Sequence, residues 1–105
     1  VSKLGGLTTF EALACRLPII ADATTPPMPQ EAGTARLMAE RGAAILLKNS
    51  HDIVATVRDL ASDRANYARM KAAAAELALP DSTERIITEI YSLLPQTAVS
   101  HQIAA

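Results

Sequence analysis

Apolar residues along the first half of the chain alternate between helical spacing and short uninterrupted runs. The helical spacing predicts one helix over residues 7–16 and another over residues 30–41, which Gly42 is suited to end in a left-handed conformation. The short, mostly apolar segments at residues 18–22 and 43–47 are typical of buried strands. A helix followed by a buried strand, twice in succession, predicts a parallel sheet with crossover helices.

The second half of the chain is predicted to be helical. Ser50 is predicted to cap one helix, an alanine-rich helix comes next, and a third begins where Asp81 or Ser82 can cap it. Their apolar stripes follow helical spacing: Ile53, Val54, Val57, Leu60 and Ala61, then Tyr67, Met70, Ala74 and Leu77, then Ile86, Ile87, Ile90, Tyr91 and Leu94. Residues 95–105 lack periodicity and are predicted to be a disordered tail after a folded unit of residues 1–94.

The predicted fold is therefore α/β: a partial Rossmann-like parallel sheet of two to three strands, with flanking helices and a C-terminal helical segment. Only Val1 and Ser2 represent the strand that would precede the first helix, and the chain starts with neither an initiator methionine nor a signal peptide. We therefore expect a fragment of a longer protein. Because the strand at residues 18–22 would then lack a full neighbour, we expect marginal folding, self-association or aggregation of the isolated piece.

Composition and charge exclude several classes of partner. The chain of 105 residues has a formal net charge of -1, which provides neither the positive field that attracts nucleic acid nor a basic patch for acidic lipids. No apolar segment reaches the ~20 residues that a membrane helix needs. Cys15 is a single cysteine, predicted to be a small core residue, and the two histidines have no companion at metal-ligand spacing. A reducing, cytoplasmic setting and the absence of a metal are therefore expected.

Gly5 and Gly6 stand where the first strand would turn into the first helix. Glycine permits backbone angles and close approach that a Cβ would forbid. The first amides of that helix point their N–H groups at one spot, which suits an anion, particularly phosphate. Glu11 follows about 7 Å further along the axis, at ~1.5 Å per residue, a separation similar to that between phosphate and ribose. One helix could thus hold a diphosphate and a ribose diol, although a glycine pair is most often a tight turn.

Gln30 and Glu31 lie at the front of the second predicted helix. The loop before them leaves the carboxyl end of the strand at residues 18–22, where ligands of open parallel sheets bind. An amide beside a carboxylate at that edge provides both a donor and an acceptor for sugar hydroxyls.

The segments SKLGGLTTFEALACRLPII and PQEAGTARLMAERGAAILL closely resemble the C-terminal domain of GT-B glycosyltransferases of the family 28 type. The branch that they resemble contains diacylglycerol glucosyltransferases, monogalactosyldiacylglycerol synthases and the lipid II-forming N-acetylglucosaminyltransferase of peptidoglycan synthesis. The resemblance extends from Ser2 to about Leu94. The chain departs from the resembled family at four positions. The family frequently has proline in place of Leu4, glycine in place of Arg16 and Pro29, and asparagine in place of Thr34.

The resemblance implies a donor site for a UDP-sugar. By that analogy the diphosphate would be bound by Gly5, Gly6, Leu7 and Thr8, the ribose by Glu11, and the transferred sugar by Gln30 and Glu31. The family inverts the anomeric configuration without a bound metal, so no cofactor besides the UDP-sugar substrate is expected. Its general base usually comes from an acceptor-binding N-terminal domain that has no counterpart here. The catalytic residue is therefore unassigned, and the fragment alone is expected to be inactive.

The implied parent is an inverting, UDP-sugar-dependent hexosyltransferase acting on a lipid, with diacylglycerol preferred over a polyprenyl-linked acceptor. Its acceptor would be bound through the missing N-terminal domain, and a lipid acceptor leaves open peripheral attachment to the cytoplasmic face of the membrane. The alternative is a noncatalytic nucleotide-binding or interaction fragment in which the same helix terminus binds an anion.

Overall fold

The computed structural model describes residues 1–96 and has the element order that the sequence predicts. The elements are α1 (Gly6–Ala14), β1 (Ile19–Asp22), α2 (Pro29–Glu40), β2 (Ala44–Leu47), a 3-10 helix (Ser50–Asp52), α3 (Ile53–Ser62), α4 (Arg64–Leu77) and α5 (Ser82–Ser92). The α/β class, with a parallel sheet, flanking helices and a C-terminal helical segment, is confirmed. Most of the tail predicted to be disordered, residues 97–105, lies outside the described residues.

β1 and β2 pair in parallel over four residues each. Ile19 lies opposite Ala44 at one end of the ladder, and Asp22 lies opposite Leu47 at the other. α2 connects these two parallel strands by crossing one face of the sheet. β2 therefore starts at the same end of the sheet as β1. The carboxyl ends of both strands therefore point the same way.

Ser2 occupies the position of a third strand on the free edge of β1. It forms a parallel bridge with Ala21, in which the N–H of Ser2 donates to the Ile20 carbonyl at 3.0 Å and the N–H of Asp22 donates to the Ser2 carbonyl at 2.9 Å. The predicted sheet of two to three strands is therefore confirmed. Because α1 joins Ser2 to β1 in the same sense, the amino ends of α1 and α2 lie at the same edge of the sheet.

The side chains of β1 alternate between two apolar clusters. One cluster comprises Leu4, Leu13, Ile19, Ala21, Met38, Ala43, Ala44 and Ala74. The other comprises Ile20, Leu47, Leu60 and Met70. α4 contributes to both, with Ala74 in the first and Met70 in the second. The sheet is thus covered by helices on each face, as expected of parallel strands.

The apolar stripes predicted for the later helices are only partly buried. Leu60, Met70 and Ala74 are buried, whereas Val54 in α3 is 61% exposed. In the last stripe only Tyr91 is half-buried, and the other members are exposed: Ile86, Ile87 and Ile90 in α5, and Leu94 just after it. Helical spacing determines which face is apolar, but burial requires an element to pack against it, and none of the described residues buries a side chain of α5.

Two further local expectations are wrong. Ser50 does not cap α3 with its side chain, because residues 50–52 form a 3-10 turn that leads into the helix. Cys15 is exposed, because it follows the last residue of α1 and points away from both clusters.

α1 and α2 end in the same backbone motif. At the end of α2, the N–H of Gly42 donates to the Ala39 carbonyl at 3.0 Å and the N–H of Ala43 donates to the Met38 carbonyl at 2.9 Å. This pair of bonds is a Schellman motif, which places one residue in the left-handed region. Gly42 occupies that position with φ 76°, as the sequence predicts.

The motif that ends α1 carries arginine at the left-handed position. The N–H of Arg16 donates to Leu13 and the N–H of Leu17 donates to Ala12, both at 2.9 Å. Arg16 has φ 55°, although a side chain there crowds the following carbonyl. The helix therefore ends at Ala14, two residues before the predicted end. A glycine at this position, which the resemblance leads us to expect, would avoid this strain.

We predict that Arg16→Gly raises the free energy of unfolding by about 0.5–1 kcal/mol, since relief of the left-handed strain exceeds the entropy cost of glycine. Gly42→Ala should lower it by about 1 kcal/mol, through backbone strain rather than a clash, because the added Cβ would lie 4.0 Å from Ala73. Urea denaturation followed by circular dichroism measures both. Arg36→Gly, in the exposed interior of α2, is the control and should destabilise by about 0.5–1 kcal/mol. A destabilising Arg16→Gly would contradict the strain at this turn.

Candidate functional site

The amino end of α1 lies exposed at the carboxyl edge of the sheet. Its N-cap residue is Gly5, and no side chain within the described residues caps it. Gly6, Leu7 and Thr8 are exposed, and the first internal bond is donated by the N–H of Thr9 to the Gly5 carbonyl at 3.1 Å. The amides of the first turn therefore have no acceptor inside the helix and keep its positive end available to an anion.

Within residues 1–96, α4 has a side-chain cap at its amino end, whereas α1, α2, α3 and α5 have none. There, Asp63 precedes the helix, and its carboxylate accepts the N–H of Asn66 at 3.0 Å. A side-chain cap of this kind satisfies one of the free amides and places negative charge at the helix end. The amino end of α1 has a glycine in the equivalent place.

The glycine pair does not need the backbone angles that the sequence analysis expected of it. Gly5 has φ -72°, which any residue adopts, so the expectation that the turn needs angles forbidden to other residues is wrong. A Cβ on Gly5 would lie 3.6 Å from Oε1 of Glu31, whereas a Cβ on Gly6 would meet nothing within 4 Å. Gly5 therefore lies near the side chain of Glu31 in α2, at an ordinary contact distance, and Gly6 has open space beside it.

Thr9, rather than Thr8, is the threonine that holds this turn together. Its side chain is fully buried, and its hydroxyl donates to the Gly5 carbonyl at 2.7 Å. Thr8 is exposed. The sequence assigned importance to Thr8 alone, although the helical spacing of Thr9 and Leu13 would have indicated that Thr9 faces the core.

The amino end of α2 offers fewer free amides than that of α1. Pro29 occupies the first turn without an N–H, and the amides of Glu31 and Ala32 donate to the Met28 carbonyl at 2.8 and 3.1 Å. The amide of Gln30 has no acceptor inside the helix. The groups that this helix end offers to a ligand are therefore that amide, the exposed side chain of Gln30 and the half-buried side chain of Glu31.

A cavity of about 160 Å³ lies between the carboxyl edge of the sheet and the start of α2. Its lining includes polar side chains from three segments: Lys3, Asp22, Thr25 and Glu31. Its apolar wall includes Leu4 and Leu46. Of the predicted site residues, Glu31 lines the cavity and Gly5 lies beside Glu31. Gln30 and Glu11 are exposed and are not part of the lining, and Gly6, Leu7 and Thr8 remain at the open end of α1.

Asp22 is a cavity residue that the sequence reasoning missed. Its Oδ1 accepts the hydroxyl of Thr24 at 2.6 Å and the N–H of Thr24 at 3.0 Å. These bonds, with a smaller contribution from the positive charge of Lys3, lower the pKa of the Asp22 carboxyl. An aspartate at the end of a buried strand, two residues before a threonine, is the signal of an Asx turn that could have identified it. Lys3, predicted to be an exposed strand-end lysine, is exposed and also lines the cavity.

The described part of the chain has two further properties that bear on function. Residues 1–96 contain no group of three or more His, Cys, Asp or Glu side chains arranged to hold a metal ion. None of the helices in the same range has the length and apolar character required to cross a membrane.

We predict that Thr9→Val lowers the free energy of unfolding by about 0.5–1.5 kcal/mol, because it removes the buried hydrogen bond of the hydroxyl. The N–H of residue 9 still donates to the Gly5 carbonyl. Thr8→Val is the matched control and should change stability by less than about 0.5 kcal/mol, since Thr8 is exposed. Urea denaturation measures both variants. Equal effects of the two substitutions would contradict the role given to Thr9.

Comparison with known proteins relates most of the chain to lipid glycosyltransferases. Over 91 residues, 86% of its length, it is 35% identical to the processive diacylglycerol beta-glucosyltransferases of Bacillus subtilis (strain 168) and Bacillus licheniformis. That of Bacillus cereus (strain G9842) is 30% identical over the same number of residues. The chain spans 23% of the length of each relative. No protein-family model matches the chain. No solved structure matches it. The similarities support a relationship to glycosyltransferases of the family 28 type.

Proposed function

We propose that this chain is the C-terminal, donor-binding part of an inverting UDP-sugar-dependent glycosyltransferase. The parent enzyme transfers a hexose to a lipid acceptor such as diacylglycerol, and glucose is the first candidate for that hexose. The observation that carries the proposal is the similarity to diacylglycerol glucosyltransferases across 86% of the chain. The arrangement of the carboxyl edge of the sheet supports it independently.

The donor diphosphate binds at the amino end of α1 in this proposal. The backbone of Gly5, Gly6, Leu7 and Thr8 provides the amides. This end carries no side-chain cap, and the space beside Gly6 is open. Amides aligned with the positive end of a helix dipole form a site for phosphate without a metal ion. Glu11, on the same helix, binds the ribose diol as a charge-assisted acceptor.

The transferred sugar binds next to α2, where Gln30 and Glu31 reach its hydroxyls. Support comes from the closeness of the two helix ends, since Oε1 of Glu31 would lie 3.6 Å from a Cβ on Gly5. In a nucleotide-sugar an oxygen of the second phosphate is bonded to the anomeric carbon. A phosphate site and a sugar site that adjoin in this way match that covalent connection.

Inversion requires the acceptor hydroxyl to attack the anomeric carbon from the side opposite the departing UDP. As the bond to UDP breaks, negative charge grows on the diphosphate, and the free amides of α1 stabilise that charge. The general base that removes the acceptor proton comes from the acceptor-binding N-terminal domain. In this proposal the chain lowers the barrier by binding the leaving group and requires no metal. The parent works in the cytoplasm or on the cytoplasmic face of the membrane.

Release of UDP by the natural full-length protein tests this function. With UDP-glucose and diacylglycerol we expect acceptor-dependent UDP release, and Glu11→Gln should lower kcat/KM for UDP-glucose about tenfold by removing one charge-assisted acceptor. Glu76→Gln, at an exposed position of α4, is the matched control and should leave kcat/KM unchanged. UDP binding without acceptor-dependent release would favour a noncatalytic nucleotide-binding protein. An unchanged kcat/KM in Glu11→Gln would contradict the ribose role.

A second prediction separates the diphosphate site from the stability of the fold. Gly6→Ala and Gly33→Ala each place a methyl group in open space on a helix, so neither should destabilise the protein. Only Gly6→Ala puts that methyl group beside the free amides of α1, and it should weaken UDP binding about tenfold by isothermal titration. Equal UDP affinities of the two variants would place the diphosphate away from α1.

A further inference from the structure

We infer that Asp22 is a specificity-determining residue that accepts a hydrogen bond from a hydroxyl of the donor sugar, an inference that rests on the proposed function. Asp22 is the last residue of β1, which lies between Ser2 and β2. Its side chain lines the cavity into which Glu31 also projects. Ligands of open parallel sheets bind at this end of the strands.

The turn after β1 holds the carboxylate of Asp22 in a fixed orientation. Thr24 donates both its hydroxyl and its backbone N–H to Oδ1, at 2.6 and 3.0 Å. Within residues 1–96, no hydrogen bond to Oδ2 accompanies these two. One oxygen is therefore used to orient the group and the other is left to accept from a ligand. An acceptor whose orientation is already set loses little entropy when a hydroxyl binds.

The charges around the cavity favour a neutral polyhydroxyl group over a phosphate. Asp22 and Glu31 contribute two carboxylates to the lining, and Lys3 contributes one cation. A phosphate placed among them would be repelled, because its charge has the same sign as the two carboxylates. Hydroxyl groups donate to both carboxylates and form charge-assisted bonds. The cavity therefore suits the sugar, and the free amides of α1 suit the diphosphate.

The size and wall of the cavity agree with a single sugar ring. At about 160 Å³ it is smaller than the roughly 300–1,000 Å³ of sites that enclose whole drug-sized ligands. Leu4 and Leu46 give it an apolar wall beside the carboxylates. A pyranose has polar hydroxyl edges and less polar ring faces, which this combination of surfaces matches.

Monodeoxy analogues of the donor test the inference in the natural full-length protein. Isothermal titration gives the Kd of UDP, of UDP-glucose and of UDP-glucose lacking the hydroxyl at carbon 2, 3, 4 or 6. We expect one analogue to bind the unmodified protein about tenfold more weakly than UDP-glucose, since a site built to bind a hydroxyl rejects a ligand without it. Asp22→Asn should weaken UDP-glucose by a similar factor while leaving UDP and that analogue unchanged. Asp59→Asn, at an exposed position of α3, is the control and should change none of these values.

A purely structural role for Asp22 gives a different pattern. If Asp22 only ends β1, Asp22→Asn should weaken UDP, UDP-glucose and all analogues alike, or none of them, and either result would overturn the inference. Thr24→Val keeps the carboxylate and one of its two bonds, so it should produce a smaller loss with the same selectivity for UDP-glucose. A uniform loss in Thr24→Val would also overturn the inference. Failure of the unmodified, folded protein to bind UDP at all would remove the proposed function itself, and the inference with it.

Discussion

The candidate site depends on the backbone hydrogen bonds that β1 makes along both of its edges. On one edge β1 pairs with β2 over four residue pairs, and on the other it pairs with Ser2 through two bonds. Parallel pairing on both edges puts the two following turns, and the amino ends of α1 and α2, at the same end of the sheet. The Ser2 edge has the fewer bonds, so the position of α1 also depends on the burial of Leu4 and Leu13 against β1. Side chains of that size contribute about 1.5–3 kcal/mol each when fully buried.

Local sequence patterns predict much of the fold, and the features that they do not predict have specific physical causes. The order of helices and strands follows from apolar spacing, and Gly42 marks the end of α2 because glycine adopts a left-handed conformation at low cost. Arg16 gives no such signal, since nothing local distinguishes an arginine inside a helix from one forced into the left-handed region after it. The apolar stripe of α5 could be predicted as a stripe, but its exposure could not. Exposure depends on which surfaces surround a helix, and local spacing contains no information about them.

In the candidate site, too, some features follow from the local sequence and others depend on how the elements are arranged in space. The free helix end at Gly6 could be predicted because a glycine pair before a helix is a local feature. The place of Glu31 beside Gly5 depends on the crossover that α2 makes, and it could be expected only from the rule for parallel sheets. Asp22 was missed because an aspartate at the end of a strand usually serves the turn. Only the shared cavity, with Lys3 and Glu31 from other segments, indicates more than a turn.

In the proposed donor site, the amides of α1 bind the diphosphate and the carboxylates bind the sugar. This separation has an electrostatic reason. Two unit charges about 7 Å apart repel by roughly 2.4 kcal/mol at an effective dielectric constant of 20. In this proposal, a diphosphate beside Gly6 meets such a penalty from Glu31, whose Oε1 lies close to Gly5, and the amides of α1 and the cation of Lys3 offset it. When a sugar is attached, its hydroxyls donate to the carboxylates of Glu31 and Asp22 and add favourable bonds. When the sugar has left, UDP retains the repulsion and loses those bonds. In this proposal, the carboxylate of Glu31 therefore helps to bind the donor sugar and also favours dissociation of UDP after transfer.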